Sequence, residues 1–216
     1  MAICVLRVGM PDRPGALGAV ASRIGAVRAD VVAIEILTRS DGRAMDEIAV
    51  EVDRDLLPLL LGEIEEVDGV TVEEVRTLPN GIRDRRLDPY LTAMALLEAR
   101  NPADLLAALA VRVADELDSG WVAILDTESE LLLATGGGPP GAEWLADAFR
   151  RSSGARSDGD PELMWATLAR FDAALGVGRP DWAFSDHDHE RLATMVRLAD
   201  ARWLDVGNRG AQAARG

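Results

Sequence analysis

The chain has 216 residues, enough for one large domain or two small ones, and 48% of them are hydrophobic, so it can bury a core. Its net charge is −14, with 8 arginines against 15 acidic residues up to residue 80 and 15 against 22 beyond it. Neither part offers a basic surface, which argues against nucleic acid and anionic membranes as partners.

The cysteine count and the hydropathy pattern indicate the compartment. Cys4 is the single cysteine, so no internal disulfide can form. No apolar run reaches the roughly 18 residues that a membrane span requires, and no basic-then-apolar leader opens the chain. We therefore expect a cytoplasmic protein without a membrane partner.

The first 80 residues are predicted to follow the order strand, helix, strand, strand, helix, strand. The predicted elements are a strand at 3–8, a helix at 15–27, a strand at 31–39, a hairpin turn at Asp41-Gly42, a third strand, a helix that follows Asp55 as its N-cap and ends at Gly69, and a strand at 70–78. In the third strand Ile48, Val50 and Val52 alternate with polar or small residues, which predicts one dry face. This order predicts a ferredoxin-like βαββαβ layer.

The most informative segment is the turn between the first strand and the first helix, Asp12-Arg13-Pro14-Gly15-Ala16-Leu17, called here the first turn. A Pro-Gly turn at this place exposes the amide groups that open the helix. Together with the positive end of the helix dipole, these amides favour a carboxylate or another small anion. The first turn is therefore a candidate binding site for a small molecule.

Residues 1–80 resemble an ACT domain, on the order of the elements, on the first turn and on Asp30-Val31-Val32 at the opening of the second strand. ACT domains are regulatory modules that commonly bind amino acids. They usually pair edge to edge or face to face, and the first turn and the start of strand two hold the ligand at the interface.

The resemblance implies backbone contacts from Gly15, Ala16 and Leu17 and side-chain contacts from Asp12 and Asp30. The full set of implied ligand-binding residues is Asp12, Arg13, Pro14, Gly15, Ala16, Leu17, Asp30 and Val31. Other amino-acid-binding members often carry Asn at the two acidic positions. Two carboxylates suit a ligand ammonium and repel a second negative charge, so a neutral amino acid is expected rather than aspartate or glutamate.

The second half is predicted to be a second α/β domain with an antiparallel sheet. The predicted elements are helices at 90–99 and, after the N-cap Asn101, up to about 118, strands at 121–126 and 131–135, a helix at 142–152, a loop at 153–161, strands at 163–168 and 171–177, a helix at 185–204 with a Ser185/Asp188 capping box, and a disordered tail at 208–216.

Residues 101–206 resemble a short GAF-type domain, chiefly in Leu175-Gly176-Val177-Gly178-Arg179 leading to Trp182-Ala183-Phe184-Ser185. GAF domains are signalling modules that bind small ligands or dimerise through their outer helices. The central excursion that builds a ligand pocket is trimmed here, so we assign this half no ligand. The predicted division is an ACT-like domain at 1–80, a linker and short helix at 81–100, a GAF-like domain at 101–207 and the tail, an α+β chain overall.

Two further motifs are weighed against simpler structures. Residues 136–141 satisfy the G-x-G-x-x-G pattern of nucleotide loops, but Pro139 and Pro140 remove amide donors, so a plain turn is favoured. In Asp186-His187-Asp188-His189-Glu190 the two histidines are two residues apart and point about 200° apart on a helix, so a solvated helix start is favoured over a metal site. We expect no cofactor and no metal.

The sequence as a whole predicts a non-catalytic regulatory protein. Its ACT domain binds a small amino acid, and its GAF-like domain relays the state or fixes a homodimer. One alternative is a structural adaptor for oligomerisation or for a protein partner, without a ligand. A nucleotide-binding enzyme that uses residues 136–141 is the weaker alternative.

Overall fold

The computed structural model describes residues 1–78, 87–152, 160–180 and 182–213, with side chains described up to residue 207. The chain forms two compact units, Met1–Arg83 and Asp84–Gly216. The predicted linker lies outside the described residues up to residue 86, and its later part is helical.

The first unit is a four-stranded antiparallel sheet with two helices. Its elements are β1 (Ala2–Pro11), α1 (Ala16–Ala26), β2 (Asp30–Ser40), β3 (Arg43–Val52), a 3-10 turn (Arg54–Leu56), α2 (Leu57–Glu65) and β4 (Thr71–Leu78). The strand order is β2-β3-β1-β4, which confirms the predicted βαββαβ ferredoxin-like layer.

The core of this unit lies between the sheet and its helices. Ile48, Val50 and Val52 are fully buried, which confirms the predicted alternation of the third strand. They pack in one cluster with Val20 of α1 and Leu60 of α2, among other residues. The β2–β3 hairpin turns at Asp41 and Gly42, both with positive φ, as the sequence predicts.

Two predicted details of α2 are wrong. The residue that caps the turn before α2 is Asp53 and not Asp55, because the Asp53 carboxylate accepts a hydrogen bond from the Asp55 amide at 3.4 Å. A 3-10 turn then leads into the helix. The helix ends at Glu65, and Gly69, at φ 76°, lies four residues further on, where the chain turns into β4.

The second unit is an antiparallel sheet with helices on both faces. Its elements are α3 (Asp88–Glu98), α4 (Pro102–Glu116), β5 (Trp121–Asp126), β6 (Leu132–Gly137), α5 (Ala142–Arg151), β7 (Leu163–Leu168), β8 (Ala173–Gly178) and α6 (Asp186–Ala213). The strand order is β6-β5-β8-β7. Residues of α3, α4 and α6 share a large core cluster with one side of the sheet, and α5 shares a smaller one with the other side.

The helix caps of the second unit agree with the sequence. The Asp104 amide donates to Asn101 Oδ1 at 2.9 Å, which makes Asn101 the N-cap of α4. Ser185 and Asp188 form the predicted capping box, with reciprocal bonds of 2.9 and 3.2 Å between backbone amides and side chains.

Two boundaries in the second unit differ from prediction. The strand expected from residue 171 begins at Ala173, because Asp172 has a positive φ and belongs to the turn. Helix α6 does not end near residue 204 but continues to Ala213, through most of the tail expected to be disordered. The predicted loop at 153–161 lies outside the described residues up to 159.

The structure also bears on membrane insertion. Of the helices described, none is both long and apolar enough to cross a membrane.

Candidate ligand-binding site

The first turn is built around the backbone of Gly15. This residue occupies the N-cap position of α1 with φ 90°, in the left-handed region that favours glycine. A Cβ placed on Gly15 would meet nothing within 4 Å. Glycine is therefore required by the backbone conformation, while the space beside it is open.

The amides at the start of α1 are partly available. The Ala16 amide donates to the Arg13 carbonyl at 3.2 Å, and the helical ladder begins with the Ala19 amide on the Gly15 carbonyl at 2.9 Å. The amides of Leu17 and Gly18 precede that ladder and have no acceptor within the helix. Of the three residues expected to make backbone contacts to a ligand, Ala16 already uses its amide for a hydrogen bond within the turn.

The charged side chains of the first turn point outward. Asp12 Oδ1 lies 3.9 Å from Arg39 Nε, and Arg13 makes a 3.6 Å pair with Asp68. All four side chains are at least 40% exposed, so these pairs contribute little to stability. Pro14 is exposed beside them. Asp12 remains accessible to a ligand.

Asp30 and Val31 do not lie near the first turn within one subunit. Asp30 pairs with Glu51, which pairs with Ile3, so these three residues form one row at the end of the sheet where β1 begins. The first turn leaves from Pro11, eight residues further along β1, which places it about 26 Å away at about 3.3 Å per residue. A pocket that joins Asp30 to Gly15 does not exist in a single chain.

Asp46 is the acidic residue that the structure brings to the end of the sheet where the first turn lies. It pairs with Val8 of β1 and Ile36 of β2, and it shares the strand face of Ile48 and Val50. Its side chain therefore points to the helix side of the sheet. Asp46 is only 3% exposed, and its buried Oδ1 has no hydrogen-bond partner within the part of the chain that the structure describes.

The electrostatics of Asp46 connect it to the first turn. Burial raises the pKa of Asp46, the Arg39 guanidinium lowers it in part, and the Asp12 carboxylate raises it further. Both Arg39 and Asp12 are thus close enough to act on this carboxyl group. Burial of a carboxylate without a partner is costly, so the site favours a positive charge beside Asp46.

The sequence contained a signal for Asp46. Along β3 the alternation that buries Ile48, Val50 and Val52 continues backwards to Asp46, so an acidic residue occupies a position of the buried register. An acidic residue on a predicted dry face is the informative exception.

The sequence of the first unit matches a known domain family. Residues 5–69 match the ACT domain. The match contains the first turn, Asp30 and Asp46. No curated protein matches the chain.

Solved structures resemble both parts of the chain. It is similar to the ACT domain from GTP pyrophosphokinase of Chlorobium tepidum, at 20% identity over 36% of this chain and 97% of that one, with a TM-score of 0.30. It is also similar to the GAF domain from an Acinetobacter phosphoenolpyruvate-protein phosphotransferase, at 15% identity over 59% and 97%, with a TM-score of 0.43. The GAF domain from a phosphoenolpyruvate-protein phosphotransferase of Coxiella burnetii is similar at 12% identity over 60% of this chain and 99% of that one, with a TM-score of 0.41.

Outside the ACT domain, one face of the second sheet is filled by its own aromatic rings. A Cβ on Gly176 would lie 2.6 Å from the ring of Trp165, and one on Gly178 would lie 2.1 Å from the ring of Trp121. Trp165 is 2% exposed and packs on Phe149, with ring centroids 5.5 Å apart. These glycines make room for the indole rings of Trp165 and Trp121 on this face.

The glycine motif at 136–141 is part of the second sheet. Gly136 and Gly137 belong to β6, where they pair with Val122 and Trp121. A Cβ on Gly137 would lie 2.2 Å from the Gly120 carbonyl oxygen, so close strand packing explains this glycine. The first two residues of the motif thus form strand rather than a phosphate loop.

The histidine motif is the first turn of α6. His189 Nδ1 lies 2.9 Å from the Ser185 carbonyl oxygen, and Asp188 serves in the capping box. Within the described ranges, no group of three or more His, Cys, Asp or Glu residues is arranged to hold a metal ion.

Proposed function

We propose that this chain is a non-catalytic regulatory protein whose ACT domain binds a small neutral amino acid at the first turn. The single observation that carries this proposal is the buried side chain of Asp46, whose Oδ1 has no hydrogen-bond partner among the described residues, at the end of the sheet from which the first turn departs. The proposal keeps the first turn of the sequence prediction and replaces Asp30 by Asp46 as the acidic group of the same subunit.

The two ends of a zwitterion match the two kinds of group at this site. The ligand carboxylate accepts hydrogen bonds from the Leu17 and Gly18 amides, where the positive end of the α1 dipole favours an anion. The ligand ammonium lies against Asp46 and Asp12 and adds a positive charge to that of Arg39, which alone does not reverse the raised pKa of Asp46. Two acidic groups repel a second negative charge, so aspartate and glutamate bind poorly.

A second copy of the chain supplies Asp30 and Val31 in this proposal. Strand β2 is an edge strand, and its Val32 and Ile36 are 46% and 48% exposed. Antiparallel pairing of β2 with its own copy aligns the Asp30 end of one strand with the Ser40 end of the other. Ser40 shares a row with Pro11, where the first turn departs. Such a homodimer holds two ligands at its edge.

Regulation follows from linkage in this arrangement. A ligand that contacts the first turn of one copy and Asp30 of the other binds the dimer more tightly than the monomer. By the same free energy, the ligand stabilises the dimer. The protein would then report the amino acid through its state of assembly, and the second unit would pass that state to a partner.

Calorimetric titration with the neutral amino acids and with aspartate and glutamate tests the proposal. We expect saturable binding of at least one neutral amino acid and none of the acidic pair. Asp46→Asn keeps the shape of the side chain but removes its charge, and it should weaken binding at least tenfold, or about 1.4 kcal/mol. Asp68→Asn, which changes a largely exposed acid that pairs with Arg13, is the matched control. Silence across all the amino acids would refute ligand sensing.

Light scattering with and without the ligand tests the dimer separately. We expect the dimer fraction to rise with ligand in the parent protein. Ile34→Lys, on the exposed edge strand, should prevent pairing because edge lysines disfavour strand addition. If the protein binds ligand but stays monomeric at all concentrations, the proposed dimer is wrong and the proposed first-turn site still stands.

One observation favours the alternative of an adaptor without a ligand. Helix α3 exposes Tyr90, Met94 and Leu97 at 70%, 57% and 63%, and these residues lie at i, i+4 and i+7 on one helix face. A stripe of this kind is typical of a helix that docks on another protein. Met94→Glu should abolish assembly under this alternative and leave amino-acid binding unchanged under the leading one.

A further inference from the structure

A cleft in the second unit offers a binding site that does not depend on the first turn. It lies between α3, α4 and α6 and has a volume of about 220 Å³. Its lining combines Thr92 and Glu116 on the floor, Arg191 on one side, and Pro89, Met195 and Leu198 as apolar wall. The cleft is on the side of the second sheet that α3, α4 and α6 cover, opposite the side of α5 and the indole rings.

The polar floor of the cleft is internally paired. Thr92 and Glu116 are 1% and 3% exposed, and the Thr92 hydroxyl donates to the Glu116 carboxylate. Arg112 donates from Nε to Thr92 Oγ1 at 3.1 Å and places Nη2 3.7 Å from Glu116 Oε1. The carboxylate on the floor therefore already has a cation and a hydroxyl donor, and it does not require a ligand.

Arg191 differs from Arg112, whose buried Nη2 also lacks a hydrogen-bond acceptor but lies 3.7 Å from the carboxylates of both Asp88 and Glu116. The Nη1 of Arg191 is buried and has no hydrogen-bond acceptor, and no carboxylate in the part of the chain that the structure describes forms an ion pair with its guanidinium. An unpartnered buried donor on a charged group is unfavourable. Because Arg191 lines the cleft, an anion within the cleft can supply the missing acceptor.

The wall of the cleft indicates the rest of the ligand. Met195 is 3% exposed and Leu198 is 41% exposed, so the wall runs from the buried core to the surface. Burial of an apolar chain against this wall would remove its surface from contact with water, which is favourable. We infer that this cleft binds a short-chain monocarboxylate, with the carboxylate on the Arg191 guanidinium and the hydrocarbon chain against Met195, Leu198 and Pro89.

A carboxylate matches Arg191 because the planar guanidinium presents parallel N–H donors to its two oxygens. An amine of the same chain length would leave Nη1 without an acceptor. The ligand class therefore follows from the unpartnered group, and Glu190 at the exposed rim adds a negative charge that solvent screens.

Three probes that share one 3-methylbutyl group test this inference on the full chain: 4-methylpentanoate, its amide, and 3-methylbutylamine. Calorimetry should show saturable binding of the carboxylate and at least tenfold weaker binding of the other two. Arg191→Gln should weaken carboxylate binding at least tenfold. Arg197→Gln, on the exposed side of the same helix, should change it less than twofold.

Two further measurements make the outcome decisive. Leu198→Asp introduces a negative charge at a partly exposed wall position that tolerates a polar residue, and it should also weaken carboxylate binding at least tenfold. Arg191→Gln should leave neutral amino-acid binding unchanged, which separates this site from the first turn. The inference is overturned if the carboxylate does not bind, if Arg191→Gln binds it as the parent does, or if the amine binds equally well.

Discussion

Asp46 of the ACT domain and Asp188 of the second unit are buried to a similar degree, at 3% and 7% exposed, but their surroundings differ. Asp188 accepts hydrogen bonds from Arg179 Nη2 at 3.0 Å and from the amide and hydroxyl of Ser185 at 2.9 and 3.1 Å. Asp46 has a buried oxygen, Oδ1, that makes no hydrogen bond to any described residue, and a second acid, Asp12, acts on the same carboxyl group.

The pKa values of the two carboxyl groups move in opposite directions. Burial acts to raise the pKa of Asp188, but Arg179 and the hydrogen bonds from Ser185 hold it below its ordinary value. Burial raises the pKa of Asp46, and the nearby charges do not reverse that shift. A paired buried acid stabilises its surroundings, whereas an unpaired one is kept at a cost to stability, as is common where a ligand binds.

The largest expected effect comes from breaking the Asp188 pair. Arg179→Met should destabilise the second unit by about 3–5 kcal/mol, because it leaves a buried carboxylate without its cation. It also removes the donors that Arg179 gives to the Leu117 and Ala183 carbonyls at 2.9 Å each. Urea denaturation followed by tryptophan fluorescence measures this, since every tryptophan lies in the second unit. A loss below about 1 kcal/mol would show that Asp188 is not held by Arg179.

The second prediction is a gain in the free energy of unfolding. Asp46→Val should stabilise the ACT domain by about 1–2 kcal/mol, because an apolar, β-branched side chain suits a buried strand position better than an unpaired acid. The same variant should abolish binding of the neutral amino acid. Urea denaturation followed by circular dichroism measures the first effect and calorimetry the second. A destabilised variant would mean that Asp46 has a structural role like that of Asp188.

The fold of the ACT domain could be predicted because its signals are local. The β3 alternation, the Asp41-Gly42 turn and the Pro-Gly turn before α1 each depend on neighbouring residues. The site required the register between strands, which no local pattern contains. Asp30 follows the first helix by a few residues, but the α1 crossover returns the chain to the end of the sheet where β1 begins. The local alternation of β3 marks Asp46 as buried, but its place near the first turn depends on its pairing with Val8 and Ile36, which are distant in sequence.

The pH dependence of stability should separate the two acids. The lowered pKa of Asp188 gives stability that is present above about pH 4 and is lost as the pH falls through the folded-state pKa. The raised pKa of Asp46 has the reverse effect, because its contribution is greatest below about pH 4 and is lost as the pH rises through the folded-state pKa.

Isosteric variants measure these slopes. Between pH 3 and pH 7, the free energy of unfolding of Asp188→Asn, relative to the parent protein, should fall with increasing pH, and that of Asp46→Asn should rise. Parallel slopes in the two variants would contradict the opposite environments of the two carboxyl groups.

The smallest expected effect is a proton released on ligand binding. In the free protein the raised pKa of Asp46 keeps part of the population protonated near that pKa, and the ligand ammonium favours the ionised form. Binding therefore releases up to about one proton, and the affinity should rise as the pH increases through the pKa of Asp46 and then level off. Calorimetry in two buffers of different ionisation enthalpy counts the proton. Asp188→Asn should retain the release, since the Asp188 carboxylate is already bound by Arg179 and Ser185. A parent protein that binds without any release would place the ammonium away from Asp46.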